Sequence, residues 1–149
     1  MYDVIVIGGG TAGLGAYRYA KNQLKKKALI IEANDFVTTC ASVGCMPSKL
    51  LIAAADNMHE IQKSAQFGIN VGSVEIDEEK LLGRVRSERD RFVGFVKEGA
   101  SKIDPADRII GFAKFIDKNT IEVNGTQYQS KTFVIATGGR VFYPGPFAE

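Results

Sequence analysis

Residues 2–32 read YDVIVIGGGTAGLGAYRYAKNQLKKKALIIE, and this stretch decides the fold class. Tyr2 to Ile7 is a short β-branched run with no polar alternation after Asp3, the pattern of a parallel strand buried on both faces. Gly8 to Gly13 (GGGTAG) makes a glycine-rich turn. Leu14, Tyr17 and Leu24 then recur at roughly helical spacing. Lys25, Lys26 and Lys27 fall where that helix is expected to end, and their charge complements a helix C-terminus. Ala28 to Glu32 (ALIIE) reads as a second buried strand. Strand, glycine turn, helix and strand form a βαβ unit, whose crossover is right-handed in nearly every known case.

Working outward, Ala33 to Gly44 reads as a loop or distorted segment leading through the cysteines. A helix is expected from Pro47 to about Ser64, since proline at a first helical position lacks only an N–H that has no partner there. Phe67 to Ser73 is a break. Asp77 to Lys102 reads as one long helix with Leu81, Leu82, Val85, Phe92, Val93 and Val96 as its apolar set. Its Arg84, Arg86, Arg89 and Arg91 alternate with Glu88 and Asp90, which reads as a solvated face. After Pro105 the pattern turns to strands: IIGFAKFI, then TIEV, then the hairpin signal Asn124-Gly125 before TQYQS. Phe133 to Ala136 (FVIA) is read as another buried strand ending in ATGG, and VFYPGPFAE follows without regular pattern. The expected fold is an α/β domain with a Rossmann-like parallel sheet and an inserted β-meander. A chain stopping in a loop after a central strand is expected to be a fragment.

The 149 residues suit one ordinary domain, and its 45% hydrophobic content can bury a core without disulfides or structural metals. Nineteen Lys and Arg against seventeen Asp and Glu leave a charge of +2, too balanced for an electrostatic nucleic-acid binder. No apolar run approaches the roughly 18 residues of a membrane span, and no signal peptide is read, so the expected compartment is the cytoplasm. Composition excludes disorder, collagen and coiled coil.

Gly8-x-Gly10-x-x-Gly13 follows a strand and opens a helix, the context in which this motif binds a dinucleotide. Gly8 permits the tight turn, Gly10 lets a pyrophosphate approach the backbone, and Gly13 allows close helix–strand packing. The N–H groups around Thr11 and Ala12 then point at the phosphates. Glu32 closes the second strand nineteen residues beyond Gly13, where a carboxylate accepts hydrogen bonds from an adenosine ribose and disfavours a 2′-phosphate. The turn alone does not separate NAD from FAD.

Cys40 and Cys45 lie in TTCASVGCMPSK. In an ideal helix, residues five apart have Cα atoms about 8.7 Å apart. That exceeds the roughly 7 Å limit for a disulfide, so bridging requires a distorted turn, for which Gly44 supplies backbone freedom. Pro47 and Ser48 restart the helix and put Cys45 near its N-terminus, where a thiolate is stabilised. Two buried free cysteines, a zinc site or a structural disulfide are the competing readings. Zinc is poorly served by two cysteines and one distant His59, and a structural disulfide is uncommon in a cytosolic protein. The upstream dinucleotide turn, and Lys49 one turn beyond Cys45, favour redox chemistry.

Together these residues resemble the FAD-dependent pyridine nucleotide–disulfide oxidoreductases, most closely the dihydrolipoamide dehydrogenase branch. The resemblance runs through VIVIGGGTAGLGAYR, the glutamate-ended strand, TTCASVGCMPSKLLIAAA, RDRFVGFV, GFAKF and FVIATGG, essentially the whole chain. It implies FAD in this site, with NAD bound elsewhere in the full-length enzyme. It implies that Cys45 is the thiol beside the flavin, that Cys40 is the interchange thiol, and that the two form a redox-active disulfide. Lys49 matches the lysine near the flavin's reactive nitrogen, Thr39 a contact close to the flavin, and Glu32 the ribose ligand. Ala113 matches a backbone contact at the adenine end, and Thr137 and Gly138 the loop passing the adenosine. The implied partners are dihydrolipoamide or a lipoylated protein, with a homodimer for the full-length protein and neither nucleic acid nor membrane.

The chain departs from the pattern at Tyr17, where alanine is common, so the first helix is expected to pack differently. Asn34 and Val37 replace glycines before the cysteines, and ATGG replaces ATGS. His59 does not match the family's catalytic histidine and is assigned a helix-face role. The second FAD segment, the NAD domain and the dimerisation domain have no counterpart in these residues, so the fragment alone is expected to be inactive. Another flavin disulfide reductase or mercuric reductase, and a non-catalytic nucleotide-binding module, are the alternatives.

Overall fold

The glycine turn joins the first strand of a parallel sheet to the helix that covers it. The structure, a computed structural model, describes residues 1–140 and 142–145. Val141 and residues 146–149 of the expected irregular tail lie outside the described residues. The chain divides into two units, Met1–Phe36 with Ile103–Glu149, and Val37–Lys102.

The first unit contains β1 (Tyr2–Ile7), α1 (Thr11–Arg18), β2 (Ala28–Glu32), β3 (Arg108–Ile110), β4 (Lys114–Phe115), β5 (Thr120–Val123) and β6 (Thr126–Ile135). The sheet order is β3-β2-β1-β6-β5-β4. Strands β3, β2, β1 and the second half of β6 run parallel, with Ile7 opposite both Ile31 and Ile135. The first half of β6 pairs antiparallel with β5, so one long strand serves both the parallel sheet and the meander. Asn124 and Gly125 both take positive φ (51° and 77°), the left-handed pair that a tight hairpin needs.

Ile5, Leu29 and Ile31 of the parallel sheet bury against Ile121 and Val123 of the meander, all at 1% exposure or less. Such apolar burial is the dominant favourable term in folding. On α1, Leu14 and Tyr17 are buried, and Gly13 lies close to Val6. The α/β class with a Rossmann-like sheet and meander is therefore as the sequence indicates.

Three local expectations for the first unit are corrected. The first helix does not run evenly to Leu24: after Arg18 it widens into a π-turn, Tyr19–Gln23, and Lys25 closes it at φ 52°. The widened turn accompanies an anchor, because Tyr17 Oη donates to Asp107 at 3.1 Å and Lys21 pairs with the same carboxylate oxygen. IIGFAKFI is not one strand but breaks at Gly111, where the backbone crowds the Asn124 side chain. The end of β6 is less buried than FVIA suggests: Ile135 is 67% exposed, since this part of β6 has a partner strand on only one side.

The second unit holds α2 (Thr39–Ser42), α3 (Cys45–Lys63) and α4 (Glu78–Ser101). The Asp77 side chain caps α4 by accepting from the Lys80 N–H at 2.9 Å. Arg91 pairs with Glu88 and Arg89 with Asp90, as a solvated face requires. Helix α3 begins at Cys45, two residues before the expected Pro47. Proline is tolerated there because N–H groups throughout the first turn lack helical acceptors. Among the described residues, no helix is long and apolar enough to cross a membrane.

Candidate functional site

In the first unit, the candidate residues converge at the carboxyl ends of β1, β2 and β6. Gly8 has φ 111°, and a Cβ there would lie 2.2 Å from the Ala136 carbonyl oxygen and 3.1 Å from the Thr137 nitrogen. The ATGG loop thus runs directly against the glycine turn. A Cβ on Gly13 would meet the Gly8 carbonyl at 1.8 Å, so this glycine is demanded by the turn itself. Gly10 is different: a Cβ there meets nothing within 4 Å. The space over its backbone is open, as close approach of a phosphate requires. Helix α1 starts without a side-chain cap or an acidic first turn, leaving the N–H groups of Thr11, Ala12 and Gly13 to an external anion.

Glu32 is held in place rather than free to sample solvent. Its Oε2 accepts from the Gly9 N–H at 2.5 Å and its Oε1 from the Asn34 N–H at 3.1 Å. Each oxygen keeps a lone pair for a ribose hydroxyl. Ala113 packs its methyl against the core cluster, leaving only its backbone for a ligand. Gly138 takes φ 72° at the end of the loop beyond β6. These residues fit the adenosine and pyrophosphate part of a dinucleotide.

In the second unit, Cys40 lies on α2 and Cys45 is the first residue of α3, with Val43 and Gly44 breaking the helix between them. That break removes the spacing an unbroken helix would impose. The Thr38 side chain caps α2 by accepting from the Ala41 N–H at 3.3 Å. Gly44 has φ −119°, so its value lies in close approach rather than in a left-handed backbone: a Cβ would be 3.0 Å from the Thr39 carbonyl oxygen and 3.5 Å from Cys40 Cα. Both cysteines are free thiols, Cys40 half-buried and Cys45 exposed. The Cys40 thiol is held above its ordinary value, first by a hydrogen bond to Cys45, then by desolvation and the charge of a Cys45 thiolate. Thr39 and Lys49 are exposed, Lys49 one turn beyond Cys45 on α3. Two interacting thiols of this kind have the chemistry to interconvert with a disulfide in a two-electron step.

Sequence reasoning passed over Gly9 and Phe36. A Cβ on Gly9 would strike the Phe36 ring at 2.5 Å and Glu32 Cβ at 3.0 Å. The run of three glycines was the available signal. His59 is exposed on α3 and lines a cavity of about 620 Å³ with Leu51, Met58 and Ile76. Among the described residues, no group of three or more His, Cys, Asp and Glu could hold a metal ion.

The profile described as "Pyridine nucleotide-disulphide oxidoreductase" matches residues 2–148. The chain is 38% identical to a dihydrolipoyl dehydrogenase of Mycoplasma pneumoniae over 99% of its own length and 33% of that relative's. It is 36% identical to the dihydrolipoyl dehydrogenase of Mycoplasma genitalium, over 95% of the chain and 31% of the relative. A mercuric reductase of Lysinibacillus sphaericus is 31% identical over 96% of the chain and 26% of the relative. The chain thus spans about a third of the length of these relatives. A glycine turn with its anchored carboxylate, a contacting thiol pair and a profile match over nearly all residues lead to one conclusion: the chain belongs to the pyridine nucleotide–disulphide oxidoreductase family.

Proposed function

We propose that this chain is the FAD-binding segment of a dihydrolipoamide dehydrogenase. The observation that carries the reading is the pair of free thiols, half-buried Cys40 and exposed Cys45, which interact across the Val43–Gly44 break. The dihydrolipoyl dehydrogenases among its relatives support the substrate.

Gly8, Gly10, Thr11, Ala12 and Gly13 hold the pyrophosphate, Glu32 the ribose, and Ala113, Thr137 and Gly138 the adenosine end. Thr39, Cys45 and Lys49 serve the flavin end. In the oxidised protein, Cys40 and Cys45 form a disulfide. A thiolate of the dihydrolipoyl group attacks Cys40 Sγ, and the Cys40–Cys45 bond breaks to release a Cys45 thiolate. The second substrate sulfur then attacks the mixed disulfide, releasing the Cys40 thiol and a cyclic lipoyl disulfide. The two electrons now rest on the cysteine pair. Bound FAD supplies the route by which they leave, as hydride to NAD, in a protein of the relatives' full length. Homodimerisation and a cytoplasmic location belong to the same reading. Mercuric reduction is the second reading, favoured by relatives of that name at 31% and 32% identity.

The test is a lipoamide-dependent NAD reduction assay on a protein of the relatives' length containing this segment, with Hg(II) as the competing substrate. The expected result is lipoamide turnover, abolished by Cys40→Ser or Cys45→Ser while the yellow flavin remains bound. Turnover of Hg(II) alone selects the second reading. Redox behaviour indifferent to both cysteines makes the chain a non-catalytic nucleotide-binding module.

A further inference from the structure

We infer that Gly44 is the positioning residue of the thiol pair: by leaving no side chain between α2 and the start of α3, it sets how strongly Cys40 and Cys45 favour the disulfide over the dithiol. The inference rests on the reading of the two cysteines as a redox pair, and it assigns the poise of that pair to a residue with no functional group of its own.

The backbone on both sides of Gly44 is fixed by hydrogen bonds. On α2, the Thr38 side chain accepts from the Ala41 N–H at 3.3 Å, the Ser42 hydroxyl donates to the Thr38 carbonyl at 2.9 Å, and Ala41 is buried. The Thr39 carbonyl accepts from the Val43 N–H at 3.0 Å. On α3, the Gly44 carbonyl accepts from the Ser48 N–H at 3.3 Å and from the Ser48 hydroxyl at 3.0 Å. The same hydroxyl lies 3.1 Å from the Cys45 carbonyl. Ser48 thus fastens Gly44 into the turn that carries Cys45.

A Cβ on Gly44 would point back into α2, 3.0 Å from the Thr39 carbonyl oxygen and 3.5 Å from Cys40 Cα. Both neighbours are backbone atoms of a hydrogen-bonded turn, so no side chain can swing away to admit it. An added methyl must instead part the start of α3 from α2 by a few tenths of an ångström, and Cys45 moves with it.

The two redox states do not feel that shift equally. A disulfide holds its sulfurs about 2.05 Å apart at a narrow range of Cβ separations, and departures store strain. The dithiol needs only the hydrogen bond between Cys40 and Cys45, a longer and softer contact that rotation of the exposed Cys45 side chain can restore. Crowding at Gly44 therefore costs the disulfide more.

Glutathione disulfide is the oxidant that reads this difference. One cysteine thiolate displaces a glutathione thiolate from it, and the other cysteine then displaces the second glutathione from the mixed disulfide. Two electrons pass from the pair to glutathione, and the protons of the two thiols end on the two glutathiones released. The wild-type chain, Gly44→Ala, Gly44→Val, Ser48→Ala and Val43→Ala are equilibrated in glutathione buffers, acid-trapped and alkylated. Mass spectrometry gives the reduced fraction, and far-UV circular dichroism verifies that each variant is folded. The equilibrium constant for disulfide formation is expected to fall about tenfold in Gly44→Ala, further in Gly44→Val, and about threefold in Ser48→Ala. Val43→Ala, at a side chain 80% exposed, leaves it unchanged. A folded Gly44→Ala with the wild-type constant overturns the positioning role while the redox reading stands. If both Gly44 variants lose their helical signal, Ser48→Ala decides, and a wild-type constant there overturns the inference. A folded wild-type chain that forms no Cys40–Cys45 disulfide in any glutathione buffer overturns the redox reading and the positioning role with it.

Discussion

At the scale of single residues, the site depends on side chains that are missing as much as on those present. Gly9 stands where any Cβ would enter the Phe36 ring and press on Glu32. Gly9→Ala is expected to destabilise the chain by about 1–3 kcal/mol, as overpacking does, and to weaken FAD binding through a displaced Glu32. Thermal melts and a flavin titration check both parts. The thiols make the second residue-scale prediction. Cys45 holds the Cys40 thiol protonated through a hydrogen bond and through its own charge when ionised. Cys45→Ala removes both causes, so Cys40 returns toward an ordinary thiol and a larger fraction is thiolate at pH 8. Its alkylation by iodoacetamide is therefore expected to run faster in Cys45→Ala than in wild type, measured by mass spectrometry of the Cys40 peptide. An unchanged or slower rate contradicts the contact between the two thiols.

Among the elements, the first helix carries an irregularity that propensity alone does not announce. Its end widens into the π-turn Tyr19–Gln23, and Lys25 then takes φ 52° so that the Lys26 N–H reaches the Ala20 carbonyl at 3.0 Å. A left-handed lysine costs about 1–2 kcal/mol against its right-handed form, a cost glycine avoids. Part of that gain is cancelled by the greater freedom of glycine in the unfolded chain. Lys25→Gly is expected to stabilise the protein by about 0.5 kcal/mol, and Lys25→Val to destabilise it by about 1 kcal/mol. Urea midpoints at constant m-value measure both. The helical hairpin of the second unit is legible nearly to the residue at α4, because Asp77 and the acidic first turn are strong start signals. The start of α3 reads two residues late because Pro47 resembles a first helical residue. The backbone geometry at Gly44, which sequence does not print, starts the helix at Cys45 instead.

For the molecule as a whole, the anchor joining α1 to the start of β3 predicts how stability responds to alkali. Burial and the adjoining Asp107 carboxylate push the Tyr17 hydroxyl up to about 12. The folded state thus favours the protonated phenol more than the unfolded state does. This contribution is fully present below the unfolded value near 10 and is lost as pH rises through 12. Urea midpoints of wild type are therefore expected to fall more steeply than those of Tyr17→Phe as pH rises from 10 toward 12, and equal slopes there would sink the assignment. The sequence alone determined the βαβ start, the hairpin at Asn124-Gly125, the glycine turn with Glu32 and the cysteine pair, because each is a local pattern whose spacing carries its own geometry. Only the tertiary structure decided that Tyr17 and Lys21 share Asp107 and that Gly9 must yield to Phe36. Those facts join residues far apart in the chain, and which distant side chains meet is set by strand order and packing, quantities that no local pattern encodes.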